Sequence, residues 1–139
     1  MSSRRRRRET LVRVAELKTK LARRDVAAQQ QLLADAEALA CARQELLDGT
    51  GLAGGSPTVL EQSTQLRLLR AAAVSEADTH VRLAVLASDS ALRAWTEARR
   101  QQRLMEQLRD RAVEDDVVER VRTEQREADD LASTRRADA

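Results

Sequence analysis

Ala77-Asp-Thr-His-Val-Arg-Leu-Ala-Val-Leu-Ala-Ser-Asp-Ser-Ala-Leu-Arg-Ala-Trp-Thr-Glu-Ala98 decides the fold. Alanine returns every seventh position, at Ala77, Ala84, Ala91 and Ala98, and the row continues through Met105 and Ala112. A second row lies three or four positions away, at Ala73, Val81, Ala87, Trp95 and Leu108. Steps that alternate between three and four keep one narrow stripe of a helix facing a partner helix, which is the seam of a coiled coil. Alanine at so many seam positions lets two backbones approach closely while burying little area per layer. No glycine or proline occurs from Thr58 to Arg136, so the whole stretch reads as one helix.

A helix so polar on its other faces needs a partner, and the upstream half can supply one. From Thr10 a stripe of Leu11, Val14, Leu17, Leu21, Ala28, Leu32, Leu39, Ala42 and Leu46 has helical spacing, with a lapse near Arg24 and Asp25. Between these runs the chain changes character. All four glycines and the single proline fall between Gly49 and Pro57. Gly49 after Asp48 suits a left-handed residue closing a helix. Ser56 before Pro57 suits an N-cap with proline in the first turn, and Thr58 with Glu61 offers an overlapping capping box. The reading is all-α: a single coiled-coil domain over 1–139, with helix one at about 8–48, a loop at 49–57 and helix two at about 58–136. The two long helices form an antiparallel coiled-coil hairpin. At 1.5 Å per residue the second helix outruns the first, leaving an overhang of roughly thirty residues. There Glu114, Asp115 and Asp116 interrupt the heptads before Val117, Val118 and Val121 resume.

Composition narrows the function classes. Charged residues make up 35% of the 139 and aromatic residues 1%, a single tryptophan, which suits long helices rather than a globular core. The formal charge is +2, yet Arg4 to Arg8 carry five positive charges, so the remainder sums to −3. Such a block repels itself and is expected to be disordered or a loose first turn. No apolar core follows it, so a secretory signal is not expected, and no run is apolar enough to span a membrane. One cysteine, Cys41, precludes an internal disulfide and reads as a buried or half-buried small residue. His80 reads as a residue flanking the seam. Paired neighbours such as Asp129 and Asp130 point about 100° apart on a helix, a poor acid–base pair. The residues therefore indicate no enzyme, no catalytic residue, no metal site and no cofactor. Trp95 reads as a seam filler opposite Leu11 or Val14, or alternatively as a partner anchor. The arginine block lacks interleaved aromatic residues for stacking on bases, so no nucleic acid is expected; an acidic protein surface or an anionic membrane face suits it better.

Three stretches carry a family resemblance. Glu124-Gln-Arg-Glu-Ala-Asp-Asp-Leu-Ala-Ser-Thr-Arg-Arg136, the run Arg99 to Arg111, and Leu11-Val-Arg-Val-Ala-Glu-Leu17 resemble the FliJ family of bacterial flagellar type III export. The matching positions in the first are Gln125, Asp129, Asp130, Leu131, Ala132 and Arg135. About forty residues match in detail, and the aromatic residues that relatives often display near the loop are missing. The resemblance implies a non-enzymatic cytoplasmic stalk, peripheral at the inner face of the cell membrane. It implies three partners: the flagellar export ATPase, the cytoplasmic domain of the export gate, and export chaperones. It places Arg5, Arg8 and Arg13 with the Gln125–Arg135 residues on the ATPase side, and the loop end between about Leu39 and Leu69 toward the gate. The injectisome counterpart is a close relative of this reading. The alternatives are a generic coiled-coil scaffold or adaptor and an arginine-led coil that binds nucleic acid.

Overall fold

A computed structural model describes residues 3–52 and 54–138; Met1, Ser2, Ala53 and Ala139 lie outside them, and with Ala53 one position of the expected loop. The protein is all-α. Helix α1 spans Ser3–Asp48 and α2 spans Pro57–Ala137, and no strand occurs among the described residues. Contacts within the chain cluster into two units. The first joins residues up to Lys20 with those from Glu97 onward, and the second runs from Leu21 to Thr96.

The arginine block departs from expectation. It is helical from Ser3 rather than frayed to Arg8. Arg5 Nε donates to Glu9 Oε1 at 3.3 Å, and Thr10 Oγ1 donates to the Arg6 carbonyl at 3.1 Å. Arg5, Arg8 and Glu9 are half-buried, so part of the block is packed and paired, which offsets its self-repulsion.

Helix α2 follows the expected seam. Every residue of the two rows named above is buried or half-buried, with Ala77, Ala91 and Ala112 the most enclosed. Helix α1 does not. Its buried row is Arg8, Val12, Ala15, Thr19, Ala22 and Val26, continuing in alternating steps of three and four to Leu47. The expected stripe of Leu11, Val14, Leu17, Leu21, Leu32, Leu39 and Leu46 is exposed, between 42% and 63%. Ala28 and Ala42, also in that stripe, are exposed as well. The two rows are one residue apart, a rotation of about 100°. The physical reason lies on α2. An alanine seam rewards close approach, and the packed row of α1 meets it with Ala15, Ala22, Ala36 and Ala40, leaving Leu33 and Leu47 as the only leucines in that row where the other row is mostly leucine. The lapse at Arg24 and Asp25 therefore interrupts the exposed row, while the packed row passes through Ala22 and Val26 unbroken.

In the second unit the chain turns between the helices. The Gly49 amide donates to the Glu45 carbonyl at 2.9 Å, so the helical pattern runs on through it. Gly49 has no positive φ, contrary to the left-handed closure expected there; among the described residues only Gly55 does, at +132°. Glycine at 49 is a matter of space, since a Cβ would stand 3.3 Å from the Glu45 carbonyl oxygen. Thr50 closes the helix instead: its hydroxyl donates to the Leu46 carbonyl at 2.7 Å and its amide to the Leu47 carbonyl at 3.0 Å. Ser56 is the N-cap of α2, its carbonyl accepting from Val59 at 3.0 Å and its hydroxyl oxygen from the same amide at 3.4 Å. Pro57 occupies the first helical position, where its missing amide hydrogen costs nothing. Thr58 already lies inside the helix, so the cap sits at Ser56 alone.

Two arginines tie the helices together near this turn. Arg70 of α2 donates to the Leu46 carbonyl at 3.1 Å and to the buried Thr50 hydroxyl. Arg43 of α1 donates to the Ala73 carbonyl at 3.2 Å, with Glu76 3.9 Å away. Numbering rises along one helix as it falls along the other, so the segments flanking the turn run in opposite senses. Arg70 adds a charged donor to a carbonyl at the end of α1 that already accepts from the Thr50 hydroxyl, and it holds that hydroxyl in place. Arg70→Ala is expected to destabilise the unit by about 1–2 kcal/mol, read by urea denaturation followed by circular dichroism. A midpoint unchanged from the parent chain would show that solvent satisfies the carbonyl equally well.

Candidate partner-binding segment

In the first unit, the opening of α1 lies against the middle of α2. Leu11, Val14, Ala15 and Lys18 line a cavity of about 110 Å³ with Ala98, Gln101 and Met105. Glu9, Val12, Arg13 and Glu16 line a shallower groove with Arg109. Packing continues on α2 to Ala112, Val113 and Asp116. Beyond Asp116 every described residue is exposed, from Val117 to Asp138. The unpacked stretch is thus shorter than the roughly thirty residues expected, because α1 starts at Ser3 and covers more of α2.

This exposed tail is still helix as far as Ala137. Its charges are mixed in sign, Glu119, Arg120, Arg122, Glu124, Arg126 and Glu127, a composition that suits a solvated helix. The hydroxyls of Ser133 and Thr134 donate to the carbonyls of Asp129 and Asp130 at 2.9 and 2.8 Å, and Arg135 and Arg136 occupy the last turn, where the helix dipole favours cations. Val117, Val118 and Val121 are 51%, 48% and 55% exposed, and Leu131 is 65% exposed. The four apolar residues stand on a helix that nothing in its own unit covers.

The sequence-derived candidates divide accordingly. Gln125, Asp129, Asp130, Leu131, Ala132 and Arg135 are all exposed in the tail, within about three helical turns of one another. Arg13 is exposed on α1, whereas Arg5 and Arg8 are half-buried in its packed row and offer less charge to a partner than a frayed block would. Arg5, Arg8 and Arg13 belong to the same unit as the tail, but the packed layers that include them stop short of Gln125.

Trp95 belongs to the second unit and is half-buried. At the stagger fixed by the Arg43 and Arg70 contacts it comes level with Ala22, a small residue opposite a large one. Leu11 and Val14, the expected neighbours, belong to the first unit and are exposed. Cys41 is exposed rather than half-buried, its Sγ 3.8 Å from Glu45 Oε1. His80 is exposed beside the seam, 3.8 Å from Glu76. No cluster of three His, Cys, Asp or Glu side chains suited to a metal ion occurs among the described residues, and no helix among them is long and apolar enough to cross a membrane. Sequence reasoning missed the Arg70–Thr50 clasp, which only the stagger of the helices reveals.

Compared with known proteins, the chain matches no family model, no curated protein and no solved structure.

Proposed function

We propose that the chain is a non-enzymatic helical stalk of a flagellar type III export apparatus, with the tail from Val117 onward as its docking segment for the export ATPase. One observation carries the reading: 22 consecutive residues, from Val117 to Asp138, lie exposed on a helix that has left its packing behind. The segment continues a helix already formed by the packed part of α2, so it holds its shape without a partner and presents its side chains to one. The same segment holds Gln125, Asp129, Asp130, Leu131, Ala132 and Arg135, the residues on which the FliJ resemblance rests. The role is mechanical. Backbone hydrogen bonds run along a helix, so a helical rod transmits bending and torque without any one contact being strong. On this reading the loop end approaches the export gate, chaperones are escorted alongside, and the protein works in the cytoplasm against the inner face of the membrane.

A second reading, a scaffold or adaptor for other proteins, is favoured by the exposed leucine row of α1. The arginine-led nucleic-acid reading gains nothing from a block in which Arg5 is paired with Glu9 and Arg8 is half-buried. Co-purification with a hexameric flagellar export ATPase separates these readings. Retention of the full chain on the immobilised hexamer at physiological salt is the expected result. Passage through the column unretained would remove the stalk reading and leave the scaffold.

A further inference from the structure

We infer that the second unit carries a self-association face, on which a second copy of this chain packs. The face comes from the displaced leucine row. Leu32, Leu39 and Leu46 each stand one residue before a packed position of α1, and Leu69 and Leu83 one residue before a packed position of α2. In two helices of opposite sense, positions that precede the seam fall on the same side of the pair. Leu66 lies a turn beyond Leu69, toward the chain reversal. The six leucines are 44% to 70% exposed. At the stagger set by Arg43 and Arg70, Leu46 comes level with Leu69 and Leu32 with Leu83. Between them Leu39 comes level with Glu76.

Three features commit this face to a copy of the chain. The first is its size. Leu66 to Leu83 spans about 25 Å and two helices about 20 Å across, so two such faces together cover about 1,000 Å², the lower end of the range for a specific interface. The second is its composition. Its apolar side chains are leucine and alanine, as in the more apolar homodimer interfaces, set around the polar Glu76 and His80. The third is its layout. Leucine pairs at both ends flank a middle that holds Leu39, Glu76 and His80, so a two-fold axis through the middle sets leucine on leucine at either end. The product is a bundle of four helices, which encloses rows that a single pair leaves in water. The association uses no residue of the first unit and does not depend on the proposed stalk role.

Sedimentation equilibrium of the full chain tests it. The parent chain is expected to show a concentration-dependent dimer, and Leu39→Arg to weaken the dissociation constant at least a hundredfold with unchanged helicity. Leu86→Gln, 65% exposed but on the outer side of α2, is expected to leave the dimer intact. A parent chain that stays monomeric at high micromolar concentration would overturn the proposal. So would a dimer equally resistant to Leu39→Arg and to the double substitution Leu32→Arg with Leu83→Arg.

Discussion

A chain cut before Asp129 is expected to lose stimulation of the export ATPase, falling to the rate of the enzyme alone, while keeping nearly all of its helix. The cut removes nine of the 81 residues of α2 and no packed layer, since burial on α2 ends at Asp116. Circular dichroism should therefore drop only slightly, and the thermal midpoint should move by no more than the effect of surface substitutions, about 0.5 kcal/mol. Leu131 and Arg135 go with the cut, and with them the only large apolar side chain beyond Val121. A truncated chain that stimulates as well as the parent would move the docking segment upstream to Val117–Ala128 or out of the tail altogether. Measuring helicity and ATPase rate on one preparation keeps loss of contact distinct from loss of fold.

Ala77→Glu is expected to have the largest effect on stability of any single change on the seam, about 3 kcal/mol or more. Ala77 is 1% exposed. A carboxylate there must either stay buried without a partner or force the helices apart, and both outcomes cost several kcal/mol. Against the 5–15 kcal/mol typical of a whole domain this is a large share. Leu86→Glu is the contrast. It places the same charge on α2 nine residues later, at a side chain 65% exposed, where the expected change is within about 0.5 kcal/mol. Equal melting temperatures for the two variants would mean that the alanine row is not the packed one.

That contrast also shows what could be read from the residues and what could not. The period of the seam on α2 is written in the alanines, and Ala77, Ala84, Ala91, Ala98 and Ala112 occupy the row that their spacing implies. The break between helices is equally plain, because glycine and proline have few uses inside a helix. The seam of α1 was misleading because hydrophobicity and burial parted company there. Leu32, Leu39 and Leu46 are as apolar as any side chain of α1, yet the packed positions beside them are Leu33, Ala40 and Leu47. Periodicity alone cannot choose between adjacent rows of equal period; the choice is made by the width of the gap that α2 dictates. Arg5 and Arg8 illustrate the same limit, since a charge run reads as solvated until a partner helix brings two of its members into the packed row. In the tail, the candidate residues were legible as a motif, while their full exposure follows from where the packed layers stop.

Trp95 is the chain's one fluorophore, since tyrosine and phenylalanine are absent. It sits in the unit from Leu21 to Thr96, so emission reports on that half alone. A melt followed by fluorescence would be blind to whatever loosens around Val12 and Ala112, and a melt followed by ellipticity would see both. Two transitions that fail to coincide would then mean that the halves open separately, and the size of the mismatch would measure how loosely the half bearing the exposed tail is held.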